Sequence, residues 1–280
     1  MTVTTRKRTK SSTDTSADNA NGNSEGNDSV NSTVNAEVNP SVNRRVNHRI
    51  HFADGNKGGV GKSVLCRTLY QWFLDRQQPV IGVEADVNSP AFKGIYSDVM
   101  VAQFSEDETM GARANAIVNA VVAAQKSAVV NLPATVYEAF RLWLRDYDIL
   151  TLVADNHIEL VKWFVVTGEF DSLKSLEISL SSFDRRIPHM VVKNLKYGDW
   201  TFFEESDALQ ALIRETQTPV IELPKLPVRV ASTVLQQRLT YADSLRHRGK
   251  GFGVVEQAAV KSYLRSAYAA FESTGYLPSI

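Results

Sequence analysis

The chain has 280 residues, 43% hydrophobic and 22% charged, with 31 Lys and Arg balancing 31 Asp and Glu. This composition fits one or two soluble globular domains and gives no net field that would mark a general nucleic-acid or membrane binder. Cys66 is the only cysteine, which excludes an internal disulfide framework, CxxC redox chemistry and a Cys-rich zinc or iron–sulfur site within one chain.

The first 48 residues are dominated by Ser, Thr, Asn, Asp and Gly, with no Phe, Tyr or Trp before Phe52. They are expected to form a disordered low-complexity tail, because they cannot bury enough apolar surface to fold. Val30, Val34, Val38, Val42 and Val46 recur every fourth residue, each followed by Asn. Asparagines and Pro40 oppose a helix there, so the repeat reads as a linker, with a partner-binding or DNA-contacting arm as the alternative. No apolar stretch follows the opening "RKRTK", and no run of about 18 apolar residues occurs, so a cytoplasmic protein without a membrane anchor is expected.

From residue 49 to 280 short β-branched runs alternate with helical periodicity, the pattern of a parallel sheet covered by helices. Strands are expected at Arg49–Ala53, Val80–Glu84, Ala128–Asn131, Ile149–Val153, Met190–Lys193 and Val220–Leu223. Helices are expected over 63–76, 112–125, 135–146, 158–170, 205–216 and 255–273. The fold class is therefore α/β, a doubly wound and mostly parallel sheet. Trp72, Phe73, Trp143, Trp163 and Phe164 are read as core between helices and sheet. Asp155 or Asn156 is expected to cap the helix beginning at Ile158.

Between the first strand and first helix stands "GNKGGVGKS", Gly55 to Ser63. A strand, a glycine-rich loop and a helix opened by Gly-Lys-Ser form a P-loop, in which backbone N–H groups of Gly58, Gly59, Val60 and Gly61 converge on a phosphate. Lys62 would reach the β- and γ-phosphates, and the Ser63 hydroxyl would ligate Mg²⁺. The five histidines show no ligand spacing, so no other metal is expected.

With Lys57 included, "KGGVGKS" resembles the deviant Walker A motif of the ParA/MinD family of ATPases. The resemblance implies a P-loop fold of the SIMIBI type, ATP as cofactor, and a homodimer in which Lys57 reaches the partner's nucleotide. "GVEADVNSP" is similar to the family's D-x-D segment, with Glu84 in the first place and Asp86 in the second. Asp86 would then orient the attacking water and the Mg²⁺ shell, beside Lys57 and Lys62 as the catalytic set. "AVVNLP" occupies the Walker B position but carries Asn131 where the family has aspartate. Asn131 would serve the Mg²⁺ second shell without a charge, which implies slow hydrolysis. "MVVKNLKYG" resembles the strand end where an Asn reads adenine, here Asn194, and "ELPKLP" resembles the loop closing over the base, here Pro224. The wider pattern, "NKGGVGKS" with "VEADVNSPAF" and "VADNHIELVKWF", is similar to ParA-like proteins encoded beside plasmid stability and conjugal transfer genes. The nitrogenase iron protein and iron–sulfur carrier relatives are set aside because they need cysteine pairs.

Arg246, Arg248 and Lys250 gather in "RLTYADSLRHRGKGFG", with Arg238 and His247 nearby. Such a segment either contacts DNA phosphates without reading sequence or is a solvated basic surface. Three functions remain open: an ATP-dependent dimerising switch in plasmid partition, conjugal transfer or cargo positioning, with an unknown adaptor; a small-molecule kinase or ligase-like P-loop enzyme; and a weakly hydrolysing nucleotide-binding scaffold.

Overall fold

The computed structural model describes residues 46–183 and 186–279. The valine repeat, apart from Val46, lies outside the described residues.

Among the described residues seven strands form one sheet: β1 His48–Asp54, β2 Val80–Glu84, β3 Met100–Val101, β4 Ser127–Asn131, β5 Ile158–Val166, β6 His189–Asn194 and β7 Val220–Leu223. Their order is β3-β2-β4-β1-β5-β6-β7 and every pairing is parallel. The helices are α1 Lys62–Asp75, α2 Glu108–Gly111, α3 Asn115–Ala124, α4 Tyr137–Asp146, α5 Ile149–Asp155, α6 Phe170–Leu180, α7 Thr201–Glu205, α8 Asp207–Glu215, α9 Val228–Gln236, α10 Tyr241–Ser244 and α11 Val254–Glu272.

A parallel sheet is covered on both faces, so its strands distribute apolar residues to two layers at period two. On β1, Ile50 and Phe52 enter the layer built with Ile117, Phe140 and Trp143, and Ala53 enters the one holding Leu65, Leu69, Trp72 and Phe271. On β5, Val161, Trp163 and Val165 join Ala53's layer. Phe164 and Val166 point the other way, against Leu173 and Leu176 of α6 and Leu209 of α8. Each fully buried side chain of this size contributes about 1.5–3 kcal/mol by transfer from water.

The expected element types are reversed around residue 155. Ile149–Val153 lies in helix α5, while the expected helix from 158 contains the longest strand, β5. A strand buried on both faces carries no polar alternation, and Lys162 in the middle of "IELVKWFVV" imitates the polar face of an amphipathic helix. Asp155 and Asn156 correspondingly end α5 rather than start a helix, with Asn156 Nδ2 donating to Leu152 O at 2.8 Å. His157, at φ 57°, turns the chain into β5. The remaining expected strands are found within a residue or two of their expected bounds. No element is expected at β3 or at helices α2, α6, α7, α9 and α10; β3, α2, α7 and α10 are two to five residues long, too short to carry a period, whereas α6 and α9 are longer helices that the expected elements leave out.

The register sets the site. Ala53 pairs with Asn131, Glu84 with Asn131, Asp54 with Phe164, and Asn194 with Leu223. One edge of the sheet thus presents Asp54, Glu84, Asn131 and Asn194 from four strand ends, the edge at which open α/β sheets hold ligands.

Candidate functional site: a phosphate loop at the sheet edge

The loop from Gly55 to Gly61 leaves β1 and enters the 14-residue helix α1, whose first turn has no side-chain cap and no acidic residue. Its leading N–H groups and the positive end of the helix dipole therefore remain available to an anion. Gly61 adopts φ 117°, and a Cβ there would lie 2.5 Å from Asn194 Nδ2, so only glycine fits. Gly59 is also left-handed, at φ 83°, while around Gly58 and Gly59 a Cβ would meet nothing within 4 Å. The outer side of the loop is open space. Val60, between Gly59 and Gly61, is fully buried and anchors the loop to the core.

The end of β6 and the turn after it brace the loop. Asn194 donates Nδ2 to Val60 O at 2.7 Å and accepts Lys196 N–H on Oδ1 at 3.0 Å. Both ends of its amide thus support the loop and its own turn, leaving one N–H and one lone pair of the amide for another partner. Tyr197, which the sequence did not mark, donates its hydroxyl to Gly59 O at 3.0 Å.

Lys62 is 6% exposed and donates to Lys57 O at 2.9 Å. Burial lowers its pKa, partly offset by the carboxylates of Asp54 and Asp86. It is a desolvated cation at the mouth of an N–H cradle. Lys57 is exposed, and its ammonium pairs with Glu169 at the start of α6. That hydrogen bond raises the Lys57 pKa and lowers that of Glu169, whose Oε2 also accepts from Thr167 Oγ1 at 3.1 Å.

Across the loop, Asn131 donates Nδ2 to Glu84 Oε1 at 2.7 Å and to Ser63 Oγ at 3.2 Å. Glu84 is fully buried and accepts the N–H groups of Asp86, Phe92 and Lys93 as well. Burial raises its pKa against these bonds. Asn131 Oδ1 is buried without a partner, as is Asn56 Oδ1 in the loop. Asp86 is half-buried and caps the following turn, accepting Ser89 N–H at 3.1 Å. Among the described residues no three His, Cys, Asp or Glu side chains converge as a metal site.

A cleft of about 280 Å³ opens beside the loop, lined among others by Gly59, Gly61, Asn194, Pro224, Tyr241 and Arg67. Its wall is mainly apolar, with Val64, Leu226 and Val234, which suits a flat base next to a phosphate cradle. Arg246, Arg248 and Lys250 are all exposed, in the turn between α10 and α11. The structure therefore gathers Lys57, the loop glycines, Lys62, Ser63, Asp86, Asn131, Asn194 and Pro224 at one edge. The sequence did not mark Asp54, Lys162, Glu169 or Tyr197; only Lys162, one cation within an apolar run, left a local signal.

No protein-family model matches the chain. Over 210 residues it is 25% identical to Protein TraL of Escherichia coli, covering 70% of this chain and 86% of TraL. Over 200 residues it is 22% identical to Protein MobD of Acidithiobacillus ferrooxidans, with the same coverage of 70% and 86%. Among solved structures, a chain of the MinC:MinD cell division protein complex of Aquifex aeolicus superposes over 83% of this chain and 98% of its own, with a TM-score of 0.50 and 13% identity. This is a MinD-like fold. The resemblance that began with the loop thus extends to the sheet and its helices. Among the described residues no helix is long and apolar enough to cross a membrane.

Proposed function

We propose that the chain is an ATP-dependent dimerising switch of the ParA/MinD type, acting in plasmid partition, conjugal transfer or the positioning of another cargo. The observation that carries this reading is the pair of lysines on one glycine loop. Lys62 is buried over the cradle, and Lys57 is exposed on its outer rim. A phosphate site within one chain needs the first; the second is placed to reach outward. TraL and MobD as sequence relatives support the conjugal-transfer side of the reading, as the MinD-like fold supports nucleotide binding.

The residues present fit Mg·ATP. The uncapped helix N-terminus and Lys62 suit a polyphosphate, and the orphan Oδ1 of Asn131 lies where an acceptor for a metal-bound water is wanted. Ser63 and Asp86 would hold the ion, with Asn131 in its second shell. When bound, Mg²⁺ would neutralise charge developing on the phosphates. Gly58, Gly59, Val60 and Gly61 bind through their amides; Asn194 and Pro224 border the base. Asp86 is the group that orients water, and Lys57 supplies charge to the partner's site. Binding in this form links the two equilibria, so ATP favours the homodimer as strongly as the homodimer favours ATP.

Asn131 gives a specific reason to keep a second reading, a scaffold that binds nucleotide and hydrolyses it slowly. Its Nδ2 donates to the Ser63 hydroxyl and it brings no negative charge. In either reading the cytoplasm is the compartment, and the exposed Arg246, Arg248 and Lys250 offer a face for DNA phosphates or for an acidic adaptor.

Calorimetric titration with Mg·ATP tests the assignment. Wild type binds, and Lys62→Ala binds at least tenfold more weakly, since one charge-assisted contact in a buried site is worth about 1.5–3 kcal/mol. Equal affinity in the variant would refute the phosphate loop.

A further inference from the structure

Asp54 ends β1 one residue before the loop, and Lys162 lies in the middle of β5, beside it across the sheet. Their side chains are 8% and 1% exposed and their ion pair measures 2.7 Å. The other oxygen of the carboxylate accepts the Gly55 N–H at 2.7 Å, so the pair is tied to the first amide of the loop. The Lys162 ammonium also donates to Ser179 Oγ at 3.3 Å and sits 4.9 and 5.0 Å from the ring centroids of Phe140 and Phe183. Behind Ser179, His189 bonds its hydroxyl at 2.8 Å and Ile187 O at 2.8 Å. Burial drives the His189 pKa down to about 3, so that ring adds no charge at neutral pH. Asp54 and Lys162 are therefore the compensating charges of this pocket.

A buried ion pair rarely adds net stability over a well-packed apolar pair, so its presence directly under the loop asks for another explanation. The stem of Lys62 passes over Gly55, where a Cβ would lie 3.5 Å from Lys62 Cγ. The Asp54 carboxylate acts electrostatically on the Lys62 ammonium. Yet Lys62 Nζ rests on a backbone carbonyl, not on a carboxylate. If Lys162 carried no charge, Asp54 would be a buried carboxylate whose nearest remaining ammonium is the one that must meet phosphate. It would draw Lys62 down and repel the incoming anion.

We propose that Lys162 is a positioning residue for nucleotide binding: it engages the Asp54 carboxylate under the loop and so leaves Lys62 free for phosphate. This rests on the nucleotide reading above and goes beyond it, because Lys162 itself touches no ligand. A purely structural role would tie affinity to the integrity of the pair; the charge-holding role ties it to the carboxylate left behind.

The test is calorimetric titration of the full chain with Mg·ATP for wild type, Lys162→Met and the double variant Asp54→Asn with Lys162→Met, each shown by a thermal melt to be folded. The single variant loses about fivefold or more in affinity. The double variant, with no unpaired charge, binds closer to wild type than to the single variant. A folded single variant losing less than fivefold, or a double variant binding closer to the single variant, overturns the proposal. Where the single variant does not fold, the double variant decides alone: within fivefold of wild type sustains the proposal, and a larger loss overturns it. A wild-type chain that binds no Mg·ATP refutes the nucleotide reading itself, an outcome read from the wild-type arm.

Discussion

On the β5 side of the loop a buried carboxylate, Asp54, meets an ammonium; on the β2 side another, Glu84, meets only neutral donors, the Asn131 amide and three backbone N–H groups. Burial pushes both pKa values up. At Asp54 the Lys162 ammonium, together with the Gly55 N–H, more than reverses this and the carboxyl ends below the ordinary carboxylate range, whereas the hydrogen bonds at Glu84 leave it above. One side is thus electrically closed, and the other carries an ionisable acid next to the Ser63 hydroxyl that lacks a cation. The difference explains Asn131. Its position pairs directly with Glu84 across β2 and β4, and an aspartate there would set two carboxylates against each other. An amide instead bridges Glu84 to Ser63.

The largest effect expected from disturbing this arrangement is at Lys62, which stands between the two sides. Lys62→Ala leaves the cradle without its buried cation, and the loss in Mg·ATP affinity of tenfold or more by calorimetry should come without a fall in thermal midpoint. Acid probes the closed side. His189, neutral behind Lys162, has a folded pKa near 3 against an ordinary 6.5. The unfolded chain therefore takes up this proton first, and stability present above pH 6.5 is lost as pH falls towards 3. Between pH 7.5 and pH 5 this amounts to about 2 kcal/mol for the one ring. Urea unfolding at the two pH values should show that decrement shrinking in His189→Gln.

The open side is sharpened by Asn131→Asp. Without a cation the variant should be destabilised by about 1–2 kcal/mol, from two facing buried carboxylates. Mg·ATP should then raise its thermal midpoint more than that of wild type, and its turnover should exceed the wild-type rate, measured as phosphate release. The smallest effect falls outside both sides. Arg246→Glu with Arg248→Glu should leave nucleotide binding and stability unchanged, and should weaken duplex DNA retention in the ATP state if this face meets phosphates, read by anisotropy at two salt concentrations.

The comparison also marks what the sequence could and could not carry. The loop was legible because its chemistry is local: glycine, lysine and serine at fixed spacing between a strand and a helix. Asn131 was legible as a departure, but not its bond to Glu84, since the two meet only through strand pairing. Lys162 misled, because one polar residue in a buried strand looks like the polar stripe of a helix, and its partner Asp54 is distant along the chain. Asn194 is legible as the end of a strand, but not the engagement of its amide with Val60 and Lys196, a contact that no pattern within "KNLKYG" announces.

Lys57 carries the central claim, that ATP joins two copies of the chain. It is exposed and paired with Glu169, so its contribution should appear in assembly and not in stability. Light scattering of the wild type and Lys57→Ala, with and without Mg·ATP, measures this directly. The account predicts a wild-type particle that doubles in mass on adding Mg·ATP and a Lys57→Ala variant that binds ATP yet stays monomeric. A wild type that binds ATP and remains monomeric would contradict the switch and favour an enzyme acting on a small molecule.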